Sequence, residues 1–223
     1  MTLDETISLL KQKSNAKHLA GMKRFRIDDE HALGIPLPEL RKMAKQIKTN
    51  HALALALWKI NIHEAKLLAS MIADPKQFTE QEADEWVHDF YSWDICDQVC
   101  GNLLDRTDFA LGKAMEYTSN TEEFVKRAGF VLMAEFAIHD KKAPDNAFLG
   151  LFPIMEREAW DNRNFVKKAV NWALRQIGKR NSVLRAHAIE TAQRILLQNT
   201  KSARWIATDA LNELSGKPLI INN

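Results

Sequence analysis

The sequence predicts an all-α fold, an α-α superhelix of about a dozen helices, on three observations. Apolar residues recur at spacings of three and four rather than two, glycine is scarce while the prolines cluster at expected helix boundaries, and one segment repeats 41 residues further on. Ile62, Ala65, Ala69 and Ile72 form one apolar stripe, and Val166, Ala169, Val170, Ala173 and Ile177 form another. Each stripe fits one face of a helix that must bury that face against a neighbour.

Helix boundaries follow in chain order from the punctuation. Ile35-Pro36-Leu37-Pro38, Asp74-Pro75 and Ala143-Pro144 mark breaks, because proline lacks the N–H that a helix interior needs. Thr79 precedes Glu80-Gln81-Glu82, and Ser92 precedes Trp93, where N-caps belong. Short connections favour antiparallel hairpins, and no Gly/Ser-rich or Pro-rich linker divides the chain, so residues 1–223 are expected to form a single domain.

The repeat sets Lys126-Arg127-Ala128-Gly129-Phe130-Val131-Leu132-Met133-Ala134 against Lys167-Lys168-Ala169-Val170-Asn171-Trp172-Ala173-Leu174-Arg175, with Ser202-Ala203-Arg204-Trp205-Ile206-Ala207 as a shorter third copy. An offset of 41 residues falls within the range of two-helix HEAT-like units. Such units stack into a solenoid whose inner face is an extended concave surface.

A hydrophobic share of 46% and a charged share of 27% belong to an ordinary soluble globular protein. Met1-Thr2-Leu3-Asp4-Glu5 carries acids where a secretory leader would carry cations, and no apolar run reaches membrane-spanning length, so a cytoplasmic protein without membrane contact is expected. Cys96 and Cys100, four apart in one expected helix, exclude a disulfide framework and read as buried apolar thiols. His63-Glu64 fails as a zinc motif because Leu67 stands where the second histidine should be, and no metal or other cofactor is expected. Residues 1–120 hold 15 basic and 18 acidic side chains, residues 121–180 hold 11 and 8, and residues 181–223 hold 5 and 3. The basic character therefore lies in the second half, a local patch suited to a polyanion.

Four residues stand out chemically. Trp93 and Asp97 share one helix face and can offer an aromatic plane and a carboxylate to a cation, or can be an anchoring side chain and a surface acid. Arg127 shares a helix face with Phe124, Val131 and Ala134 and needs an anion, either an acidic side chain or a phosphate. Trp172 lies in a stripe with Lys168, Arg175 and Lys179 that could meet a nucleic acid, the cations on phosphate and the ring on sugar or base, or could be a partly buried ring among solvated cations.

Five ordered segments resemble the AlkD-like DNA alkylation repair proteins: Gly34-Ile35-Pro36-Leu37-Pro38-Glu39-Leu40-Arg41; Leu57-Trp58 followed by His63-Glu64-Ala65; Ser92-Trp93-Asp94-Ile95-Cys96-Asp97; Phe124-Val125-Lys126-Arg127-Ala128; and Phe165 through Arg175. The resemblance spans nearly the whole chain. It implies a HEAT-like solenoid that binds double-stranded DNA in a basic concave groove and removes cationic N3- and N7-alkylated purines for base excision repair. It further implies that Asp97 is the catalytic carboxylate, that Trp93 and Trp172 are active-site rings, and that Arg127 contacts DNA; Lys168, Arg175 and Lys179, from their shared helix face, are then expected along the backbone. Ser92 departs from a family pattern that often has a second tryptophan beside the first. A monomer is expected. The alternatives are a DNA-binding protein of the same fold that recognises damaged or branched DNA without excision, and a scaffold for a protein partner.

Overall fold

The computed structural model of the protein describes residues 1–25, 27 and 30–216. Among these, every regular element is helical: α1 (Leu3–Gln12), α2 (Ala16–Met22), α3 (Leu37–Ile47), α4 (His51–Trp58), α5 (His63–Ile72), α6 (Glu80–His88), α7 (Trp93–Asn102), α8 (Ala110–Tyr117), α9 (Glu123–His139), α10 (Asn146–Leu149), α11 (Leu151–Glu158), α12 (Asn164–Gly178), α13 (Ser182–Leu197) and α14 (Lys201–Gly216). Thr79 stands at the N-cap of α6 as expected and completes a capping box with Glu82, and Pro36 stands at the N-cap of α3. Among the described residues no helix is long and apolar enough to cross a membrane. The chain divides into two compact units, one ending at Thr107 and the other beginning at Asp108.

The first unit is built around α5. Helix formers fill it, and nine of its ten residues are buried. Helices α3, α4 and α7 pack on it, and α1 packs on both α4 and α5. Such burial forces its polar side chains to find partners. Glu64, 1% exposed, accepts hydrogen bonds from the backbone N–H groups of Leu33 (2.8 Å), Gly34 (2.7 Å) and Ile35 (3.1 Å). The loop can present three consecutive donors because Gly34 takes φ 73°, and a Cβ there would lie 2.4 Å from the Asn15 carbonyl oxygen. Lys66 pairs with Asp89 and lies 4.4 Å from the centre of the Trp58 ring, which in turn stacks on Trp86 at 3.9 Å.

The second unit is a stack of helix pairs, α8 with α9, α11 with α12, and α13 with α14. α12 packs most extensively on α9 and also on α14, while α11 packs on α13. The 41-residue repeat is thus structural: its first copy lies in α9, its second in α12, and the short third copy in α14. Arg127 of α9 reaches the Phe165 carbonyl near the start of α12, and Arg180, just past its end, reaches the carbonyls of Ala137 and Asp140, so α9 and α12 run parallel. α8 and α9 approach closely at Gly129, where a Cβ would stand 2.7 Å from the Ala114 carbonyl oxygen. Lys126, 5% exposed, bonds Glu158 at 2.7 Å and lies 3.6 Å from Asp161, whose carbonyl accepts from Ser202 of α14 at 2.7 Å.

Glu64→Gln should lower unfolding stability by about 1–3 kcal/mol, because an amide presents only one oxygen to the donors and turns its own NH₂ toward the others. Urea denaturation measures this. A variant as stable as the parent would mean that the three N–H groups find other acceptors.

Candidate functional site

α7 starts at Ser92, which has extended backbone at the N-cap position but makes no side-chain cap bond. Its hydroxyl donates instead to the Asp94 carboxylate, a charge-assisted bond stronger than a neutral cap. Asp94 also accepts from the Ile95 N–H, and so does the work that the sequence pattern assigned to serine. Across from it, His63 of α5 places Nε2 2.8 Å from Asp94 and Nδ1 3.0 Å from the Tyr91 hydroxyl. Because an ionised carboxylate only accepts, Nε2 carries a proton, and in the neutral ring Nδ1 accepts from Tyr91. Burial pushes the Asp94 carboxyl upward, but the hydrogen bond and charge of His63, with the bonds from Ser92 and Ile95, outweigh it and hold the group below its ordinary value of 3.8.

The consequence is a division of labour between two carboxylates three residues apart. Asp94 fixes the first turn of α7 to α5, while Asp97 lies one turn on, on the face of Trp93; both Trp93 and Asp97 are half-buried. Trp93 and Asp94 also border a cavity of about 700 Å³ in the first unit, with Met22, Ile35 and Leu67 on its walls. Cys96 and Cys100 face the core, both 0% exposed, as apolar thiols should. Among the described residues no group of three or more His, Cys, Asp or Glu side chains is arranged to hold a metal ion.

In the second unit, Arg127 is 6% exposed and donates from Nη1 to the Phe165 carbonyl at 2.7 Å. Its neighbour Lys126 is the side chain that makes the buried ion pairs with Glu158 and Asp161. On α12, Trp172 is half-buried and Lys168 exposed. The Gln176 amide, with its oxygen turned toward them, accepts from Trp172 Nε1 at 3.0 Å and Lys179 Nζ at 3.2 Å. Neither Arg175 nor Lys179 is a solvated cation: Glu213 of α14 binds both, Lys179 at 3.0 Å, and Asp209 lies 3.5 Å from Arg175. Burial raises the Glu213 carboxyl, and bonds from these two cations reverse that and keep it below its ordinary value. The expected four-member stripe therefore keeps one cation, Lys168, outside these pairs.

Spacing did not single out Asp94, Tyr91, Lys126 or Glu213. His63 carries a signal, since it belongs to one of the ordered segments, but His63-Glu64 as an incomplete zinc motif does not point to Asp94. Lys126 carries one too, because it is the repeat partner of Lys167.

A family model described as DNA alkylation repair enzyme matches residues 6–214. A solved structure described as a new family of proteins related to the HEAT-like repeat DNA glycosylases, with affinity for branched DNA structures, aligns over 96% of this chain and 95% of that chain. Its TM-score is 0.79 at 20% identity, so the all-helical fold is that of the HEAT-like repeat glycosylase relatives. No curated protein matches the chain closely enough to count as a relative.

The Asp94 network has a definite pH signature. A carboxyl held below its unfolded value contributes stability above that value and loses it as pH falls through the folded one. Asp94→Asn should cost about 1–3 kcal/mol at pH 7, and the gap between parent and variant should narrow as pH falls below 3.8. Urea unfolding of both proteins at several pH values is the check; a gap that stays constant into acid would place the stabilisation elsewhere.

Proposed function

The chain belongs to the DNA alkylation repair enzyme family, and from that premise we propose that it is a glycosylase for cationic N3- and N7-alkylpurines in duplex DNA, acting as a cytoplasmic monomer. The observation that carries this reading is the pairing of Trp93 and Asp97 on one partly exposed face of α7, held in place by a different carboxylate, Asp94. Asp97 is thereby distinguished from the structural acid beside it.

The chemistry suits a carboxylate without a strong acid partner. Alkylation at N3 or N7 leaves the purine positively charged and its glycosidic bond weakened, so the base leaves without being protonated first. As the C1′–N bond breaks, positive charge moves to the deoxyribose, as in sugar hydrolysis. Asp97 stabilises that charge and orients the attacking water, whose oxygen bonds to C1′ while its proton is released. Trp93 adds a ring face from the same helix side, an attraction of roughly 0.5–2 kcal/mol for a nearby cation. Trp172 and Arg127, in the second unit, receive their roles as second ring and DNA contact from the family resemblance, while Lys168, Arg175 and Lys179 are assigned to the backbone from their shared helix face. Selection by leaving-group lability makes neutral lesions poor substrates.

A second reading, DNA binding without excision, is favoured by the fold neighbour's description as having affinity for branched DNA. One assay separates the two. Duplex DNA carrying 7-methylguanine or 3-methyladenine should release the free base, and Asp97→Asn should slow release by about 10²–10³-fold. A wild-type protein that binds this DNA and frees no base leaves the second reading standing.

The pairing of Arg175 and Lys179 makes a further test of DNA contact. Glu213→Gln should tighten duplex binding a few-fold at low salt and steepen the salt dependence, by up to about one unit in the log-log slope for each cation released. An unchanged slope would show that this end of α12 does not meet phosphate.

A further inference from the structure

Trp205 belongs to the third, short copy of the repeat, which the function proposed above does not use. Its side chain is 39% exposed on α14, with the Lys167 ammonium of α12 5.5 Å from the centre of its ring. Lys168 follows Lys167 in α12, and Lys201 precedes Trp205 by one turn on the same face of α14; Lys168, Lys201 and Arg204 are all exposed. Positions 201, 205, 209 and 213 run along one face of α14 at four-residue spacing. That face begins with a cation and the indole and ends with Asp209 and Glu213, the carboxylates engaged by Arg175 and Lys179. Positive charge outside ion pairs therefore collects at the Trp205 end of the two helices.

Trp160 makes a useful contrast. It is more exposed, at 55%, but the lysine over its ring, Lys126, is buried between Glu158 and Asp161 and has no charge to offer a ligand. Among the described residues, only at Trp205 does an open indole coincide with several cations outside ion pairs.

We propose that Trp205, with Lys167, Lys168, Lys201 and Arg204, binds an unpaired DNA strand, the indole stacking on a base and the cations taking the flanking phosphates. In a paired duplex the base faces are covered by their neighbours, so an exposed ring finds one only at a flap, a gap or a frayed end. Stacking of a base on an aromatic side chain within a positive surface is the general physics of single-strand binding. The proposal rests on the DNA-binding reading above, shares only Lys168 with the surface used there, and deepens that reading by assigning the unpaired strand to the Trp205 end of α14.

The test is fluorescence anisotropy of the full chain with a labelled blunt duplex and with the same duplex carrying a single-stranded thymidine flap. The wild type should prefer the flap; Trp205→Ala should lose about 5- to 100-fold on the flap while the blunt duplex changes by less than about twofold, and Trp205→Phe should recover most of the loss. If Trp205→Ala does not fold, Lys167→Gln with Arg204→Gln replaces it and should lower the salt slope on the flap by about one to two units relative to the blunt duplex. Unchanged flap binding in a folded Trp205→Ala, equal losses on both substrates, or no flap preference in the wild type overturns this proposal alone. Wild-type protein that binds neither DNA overturns the DNA-binding reading together with it.

Discussion

Burying the Glu64 carboxylate at 1% exposure would cost on the order of several kcal/mol if its oxygens lacked partners, and three successive backbone N–H groups prevent that. The interaction ties the loop before α3 to the first turn of α5. It also fixes where α5 begins, and therefore where His63, one residue earlier, stands. His63 then holds Asp94 and through it the start of α7. The face that carries Trp93 and Asp97 is thus set by a chain of polar contacts that begins in a loop 30 residues away from Glu64 in sequence.

The second unit solves a related problem by repetition. Lys126 and Arg127 of α9 and Lys167 and Lys168 of α12 occupy matching places in the repeat, yet their surroundings differ. Lys126 is drawn into a buried pair with Glu158, whereas Lys167 lies over Trp205. A repeating scaffold can therefore hold one cation as an internal fastener and leave its counterpart near the surface, because the acids beside the first, Glu158 at the end of α11 and Asp161 just after it, are replaced 41 residues on by Asn199 and Ser202.

Much of this architecture was legible in the sequence. The apolar spacing at Ala65, Ala69 and Ile72 gave α5, Thr79 gave the start of α6, and the 41-residue offset gave the paired helices of the second unit. The first two are short-range regularities set by helix geometry, and the third is a fixed period in the chain. The contacts that govern the site are not of that kind. His63 and Asp94 are 31 residues apart, and Arg175 and Glu213 are 38 apart, so neither pair leaves a periodic trace. The stripe of Lys168, Trp172, Arg175 and Lys179 was visible as a helix face, but the acids that pair two of its three cations lie on another helix. Ser92 was legible as a helix start and misleading as a cap, since only the folded turn brings its hydroxyl to the Asp94 carboxylate.

The two thiols of α7 bear on how such a protein survives where it is needed. Electrophiles that methylate ring nitrogens of purines also attack sulfur, and a thiolate in solvent is the most reactive nucleophile a protein offers. Cys96 and Cys100 lie one turn apart on the same helix as Trp93 and Asp97, yet both are sealed from solvent at 0% exposure. The helix bearing the proposed catalytic carboxylate keeps its softest atoms out of reach of the reagents whose damage its family repairs. Chemical endurance of the tool thus follows from the same packing that shapes it.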